Sequence, residues 1–153
     1  MALYLVQHGL SASKQEDPRK GLTNPGRAQT ERIARVAADY RLSVSMIMHS
    51  GKLRAQQTAD IMAEALKPEE GVHMSSGMGP LDDVASFAKS LDMAADRMLV
   101  GHLPFMERLI AFLVTGRSEP VIMKMQNSGI VCLDVDTRTV NPVITWTLMP
   151  QIG

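Results

Sequence analysis

One cysteine, six aromatic residues and no net charge are what this 153-residue chain has little of, and each shortage excludes something. A single Cys132 cannot close an internal disulfide. It lies in the apolar run Ile130-Val131-Cys132-Leu133, where a thiol reads as a small core side chain, not as a reactive group. Sixteen basic and sixteen acidic residues cancel, so bulk charge offers no footprint for nucleic acid and none for an anionic membrane. No apolar run approaches the length of a membrane span, and the first residues lack the layout of a signal peptide. A cytoplasmic setting and a monomer are the expectations. The four histidines are far apart in sequence, with no His-x-x-x-His pair and no cysteine partner, so neither a metal nor any cofactor is expected.

What is present is a core. Apolar residues make up 45% of the chain, and twelve methionines supply adaptable filling where aromatics are scarce. The length suits one domain, residues 1–153. Apolar and amphipathic runs alternate. Strands are predicted at Ala2 to about Val6, Val44 to about Met48, 72–74, 97–101, 129–135 and 143–149. A helix opens at Leu22-Thr23-Asn24-Pro25, with Thr23 or Asn24 capping and Pro25 in its first turn; Ile33, Val36, Ala37 and Tyr40 form its stripe. Ser50 is placed to cap a second helix, with Leu53, Ile61, Met62, Ala65 and Leu66 apolar and Pro68 as its stop. A third carries Val84, Phe87, Ala88 and Leu91. A fourth begins at Pro104, with Phe105, Leu109, Ile110, Phe112 and Leu113 apolar. Asp136 to Pro142 reads as the turn of a terminal hairpin. The sum is an α/β fold: three layers, α/β/α, around a mixed, mostly parallel sheet with a C-terminal β-hairpin.

Three strand ends carry the chemistry. Leu3-Tyr4-Leu5-Val6 runs into Gln7-His8-Gly9. The strand ending at Met48 runs into His49-Ser50-Gly51-Lys52-Leu53-Arg54, and 97–100 into Gly101-His102-Leu103-Pro104. Ligands of open α/β sheets bind outside the carboxyl ends of the strands. Two imidazoles and a guanidinium there suit a phosphoryl group, one ring as nucleophile and the rest as donors to its oxygens.

These segments resemble the signatures of the histidine phosphatase superfamily, in particular its short SixA-type phosphohistidine phosphatases. Gln7-His8-Gly9 is similar to its Arg-His-Gly element, and Leu22-Thr23-Asn24-Pro25-Gly26 to Leu-Thr-x-x-Gly. Ser50 to Thr58 is similar to Ser-x-x-x-Arg-Ala-x-Gln-Thr, and Gly101-His102 to the second-histidine motif. The resemblance implies that His8 attacks phosphorus and carries the phosphoryl group, that Arg54 and His102 clamp its oxygens, and that Ser50 shapes the loop. It implies a phosphohistidine-bearing protein, such as a phosphotransfer domain, as partner.

Two departures stand out. The family's arginine is Gln7 here, whose amide can reach a phosphate oxygen without charge or a bidentate fork. Losing such a contact costs about 2–4 kcal/mol of transition-state stabilisation. Gln7 also leaves open a binding module with little turnover. Many relatives place a general-acid Glu before the third helix. Here the stretch is Gly77-Met78-Gly79-Pro80, followed by Asp82 and Asp83. A departing imidazole can hold its proton on the ring, whereas an alkoxide needs one supplied, so the absence favours phosphohistidine over a small-molecule phosphomonoester. Asp83 is expected on the solvent side, with general acid as its lesser reading. Arg19 and Lys20 are loop charges that could replace the charge Gln7 lacks. His49 is expected to pack, and His73 has no assigned role.

Overall fold

A computed structural model describes residues 1–135 and 138–152. Among the described residues ten elements follow one another: β1 (Ala2–Gln7), α1 (Asn24–Asp39), β2 (Met46–His49), α2 (Leu53–Leu66), β3 (Val72–Met74), α3 (Val84–Ser90), β4 (Arg97–Gly101), α4 (Phe105–Thr115), β5 (Ile130–Asp134) and β6 (Val143–Leu148). The sheet runs β3-β2-β4-β1-β5-β6. Its first four strands are parallel, and β5 and β6 return antiparallel. The expected mixed sheet and terminal hairpin are therefore present; Asp136 and Thr137 of the anticipated hairpin turn lie outside the described residues.

Each sheet face is covered by one helix pair, which completes the three layers. Ile33, Ala34 and Ala37 of α1 and Ala55, Ala59 and Met62 of α2 pack with Val6, Ile47, Met98 and Val100 on one side. Val84 and Phe87 of α3 and Phe105, Leu109 and Ile110 of α4 pack with Leu3, Leu5, Leu99 and Val131 on the other. Burial on both faces explains why β1 and β4 read as continuous apolar runs without alternation.

Local details differ from expectation in four places. Tyr40 is the C-cap of α1 and is exposed, so it leaves the core stripe; Ala34 takes that position. β2 starts at Met46, two residues late. α3 closes at Ser90, with Leu91 as its cap. Ser50 does not cap α2. The N-cap is Lys52, which makes no side-chain capping bond, because the left-handed turn at Gly51 (φ +92°) moves the helix start past the serine. Thr23 does cap α1, accepting from Gly26 N–H at 3.0 Å.

Strand register brings the motif residues side by side. Gln7 of β1 pairs with Gly101 of β4, and His49 of β2 pairs with Val100. One step beyond these pairings the chain places Ser50, His102 and His8 along the carboxyl edge of three adjacent strands, with His102 in the middle.

Candidate active site

The ring of His8 is fixed by its own backbone. Its Nδ1 lies 2.7 Å from the carbonyl oxygen of Gly9. A carbonyl can only accept, so Nδ1 carries the proton and Nε2 presents a lone pair. Arg54 Nε donates to that Nε2 at 3.3 Å. Around the ring the backbone is tied in three directions: His8 N–H to the Gly101 carbonyl at 3.0 Å, Asn127 Nδ2 to the His8 carbonyl at 2.9 Å, and Gly9 N–H to Thr58 Oγ1 at 2.8 Å. Gly9 is required by close approach, since a Cβ there would meet Thr30 Oγ1 at 2.5 Å. Thr58 also donates to the Arg54 carbonyl at 2.8 Å. One buried hydroxyl thus joins the loop bearing His8 to the first turn of the helix bearing Arg54.

His102 is 1% exposed and stands 5.0 Å from His8, centroid to centroid, with ring planes 51° apart. Its Nε2 is 2.6 Å from Ser50 Oγ; its Nδ1 has no partner among the described residues, and the same holds for Gln7 Oε1.

Charge at the site is one-sided. Burial, chiefly, lowers the His8 pKa to about 4 against the Gly9 hydrogen bond, and the cationic Arg54 and Lys20 lower it further. The reference value near 6.5 is therefore not the operative one; the ring is neutral well below pH 7. Burial is again the main cause for His102, lowered to about 3, with His8, Arg54, Lys52 and Lys20 adding to it. Among the described residues no carboxylate is bonded to His8, Arg54 or His102. A lone-pair nitrogen bonded by the Arg54 guanidinium, in the field of the Lys20 ammonium and with no carboxylate bonded to it among the described residues, matches a tetrahedral phosphoryl oxyanion.

The remaining candidates separate clearly. Of the two loop cations, Lys20 acts on both rings, whereas Arg19 is exposed and does not count among the charges that shift them. Lys20 stands in a left-handed turn (φ +52°) organised by Asp17, whose carboxylate accepts from Arg19 N–H at 3.0 Å and Gly21 N–H at 2.9 Å. Leu22 N–H, at the end of that loop, donates to Gln57 Oε1 at 2.7 Å, anchoring it on α2. Asp83 is exposed and caps α3. It accepts from Ser86 Oγ at 2.6 Å and Ser86 N–H at 3.1 Å, which lowers its pKa further. Asp82 accepts from Gly79 N–H at 2.7 Å. Both acids are thus engaged in their own loop. His49 is buried and accepts from Gly51 N–H at 3.0 Å; its neutral form is favoured by burial. His73 is exposed and turned to the Glu70 carbonyl.

Sequence reasoning missed Lys52, Thr58 and Asn127. Thr58 carried a signal, as the last residue of the Arg-Ala-x-Gln-Thr element. Asn127 carried none, since it sits in an aperiodic segment before β5.

Comparison with known proteins agrees with this geometry. Residues 3–77 match the model of the histidine phosphatase superfamily (branch 1). The chain is 32% identical over 146 residues to an uncharacterized protein of Picosynechococcus sp., covering 87% of this chain and 84% of that one. It is 22% identical over 156 residues to phosphohistidine phosphatase SixA of Escherichia coli (strain K12), covering 98% and 94%. In three dimensions it is similar to the protein histidine phosphatase SixA complexed with tungstate, with a TM-score of 0.81 at 24% identity over 98% of this chain and 97% of that one.

Proposed function

The chain belongs to the histidine phosphatase superfamily, and from that premise we propose that it is a phosphohistidine phosphatase, removing phosphate from a protein phosphohistidine through a covalent phosphohistidine at His8. The observation that carries this reading is the state of His8: proton on Nδ1, lone pair on Nε2, guanidinium of Arg54 3.3 Å from that lone pair.

In the first step His8 Nε2 forms a bond to phosphorus while the phosphorus–nitrogen bond of the substrate breaks. The departing imidazole, protonated on its other nitrogen, leaves neutral. Arg54 and His102 donate to the phosphoryl oxygens, and Lys20 and Lys52 supply the field that Gln7, being uncharged, does not. Water then attacks the phosphoenzyme and returns His8 with release of inorganic phosphate. Phosphoryl transfer asks mainly for position and charge stabilisation, both of which these residues offer without a metal. Positive charge close to the nucleophile suits a substrate bearing a phosphoryl dianion on a phosphotransfer domain, and a monomer in the cytoplasm fits that role.

The test is release of phosphate from a phosphohistidine-bearing phosphotransfer domain. Wild type should exceed a His8→Ala control; equal release would remove the proposal. A second reading, a phosphate-binding module with little turnover, is favoured by one observation: uncharged Gln7 stands beside His8 where the resembling motif has an arginine. A small-molecule phosphomonoesterase is disfavoured because Asp83, its candidate acid, stays ionised at its helix cap.

A further inference from the structure

We propose that His49 is a positioning residue of the site: its ring accepts the Gly51 N–H and so holds the turn that delivers Ser50 to His102 and Arg54 to His8. This goes beyond the packing expected of a buried histidine, and it rests on the reading of His8, Arg54 and His102 as a phosphoryl site.

Only Ser50, Gly51 and Lys52 join the end of β2 to the start of α2. Within that span the chain must bring Ser50 Oγ to 2.6 Å from His102 Nε2. From the first turn of α2 it must bring Arg54 Nε to 3.3 Å from His8 Nε2. Lys52, the N-cap, makes no side-chain capping bond, and its N–H reaches Ser50 Oγ only at 3.4 Å. The shorter bond across the turn runs from Gly51 N–H to His49 Nδ1 at 3.0 Å. It joins a side chain to the backbone two residues on, the closure that an Asn or Asp side chain makes in an Asx turn. A backbone N–H can only meet a lone pair, so Nδ1 is the unprotonated nitrogen of the ring.

The acceptor is firmly placed. His49 is buried and shares the sheet face of Ile47, the face covered by α1 and α2. Its carbonyl accepts from Ser75 N–H at 2.8 Å, and its neighbours in register are Met74 of β3 and Val100 of β4. Burial lowers its pKa against the opposing charge of Asp60, which favours the neutral, accepting ring. Gly51 itself stands in the left-handed region (φ +92°), where a Cβ would meet Met74 Sδ at 2.7 Å. The turn is thus clasped between the imidazole and a thioether.

Two variants of the intact chain separate turn-holding from packing. His49→Phe keeps a ring of similar volume and removes the acceptor. His49→Asn keeps an acceptor for Gly51 N–H and leaves a void, so it should be the less stable of the two in urea. The site should follow the opposite order. In calorimetric titration with inorganic phosphate, His49→Phe should bind roughly fivefold more weakly, the size of one net hydrogen bond, and His49→Asn close to wild type. In ¹⁵N NMR, His49 Nδ1 of wild type should be unprotonated. The Arg54 Nε–H signal, set by its bond to His8, should persist in His49→Asn and move in His49→Phe. A protonated Nδ1 on wild-type His49, an Arg54 signal unchanged in folded His49→Phe, or phosphate binding that follows the urea order would overturn the proposal. Should His49→Phe fail to fold, His49→Asn decides: its Arg54 signal and phosphate affinity match wild type, or the proposal falls. A wild type that binds no phosphate would refute the phosphatase reading and leave the Arg54 signal to decide the role of His49.

Discussion

Helices α2 and α3 begin in similar settings and use their polar residues in opposite ways. Both follow a glycine-containing loop at the carboxyl side of the sheet. At α3 the acid caps the helix: Asp83 accepts from the backbone and hydroxyl of Ser86. At α2 the serine bypasses the helix, leaves Lys52 as an uncapped start and bonds His102 instead. A polar side chain near a helix start can satisfy orphan N–H groups or serve a neighbouring site, but one oxygen does not do both well. The α2 start serves the site and the α3 start serves the fold.

If that contrast is right, damage at α2 should appear in chemistry and damage at α3 in stability. The largest effect is expected for Arg54→Ala, which should lower kcat on a phosphohistidine protein by roughly 10²–10³-fold, the loss seen when one transition-state donor is removed; steady-state phosphate release measures it. Thr58→Val should come next. It strips the acceptor from the buried Gly9 N–H and uncouples the His8 loop from α2, costing about 1–3 kcal/mol by urea denaturation together with a partial loss of kcat. Gln7→Arg sharpens the electrostatic side. Because Lys20 already bears on both rings and Lys52 on His102, an added cation should leave turnover level or lower it, most visibly at low salt where repulsion is least screened. A large gain would mean that the site lacks charge. The smallest effect belongs to Asp83→Ala: a fall of a few degrees in Tm, from loss of the α3 cap, with kcat unchanged and no change in the pH–rate profile. Loss of activity there would put an acid back into the mechanism.

The buried histidines add a pH dependence to stability. Both native pKa values lie below the ordinary 6.5, at about 4 for His8 and about 3 for His102. Between those values and 6.5 the unfolded chain binds more protons than the native one, so stability falls as pH drops from 6.5 toward 4 and recovers as pH rises through that window. Thermal melts of wild type from pH 7 to pH 4 should show this slope, and His8→Ala should flatten it.

Much of the fold was legible because periodicity and strand ends are local. The apolar runs of β1 and β4, the Thr23 cap and the terminal hairpin follow from residues adjacent in sequence. The convergence of His8, Arg54 and His102 was legible too, because each follows a strand of one sheet. What could not be read is set by contacts far apart in sequence. Ser50 reads as a cap until His102, 52 residues later, claims its hydroxyl. Lys20 and Arg19 are indistinguishable neighbours until Asp17 folds their loop onto α2. Asn127 reaches His8 from a segment with no pattern of its own. The depth of the pKa shifts depends on burial, which the sequence does not number.

The central claim is that neutral His8 Nε2 accepts phosphorus. Incubating the protein with a ³²P-labelled phosphohistidine phosphotransfer domain and quenching under alkaline conditions tests it most directly. The account predicts an acid-labile, alkali-stable label on His8 in wild type and in Asp83→Ala, and none in His8→Ala. A wild-type protein that binds inorganic phosphate yet never carries label on His8 would contradict it.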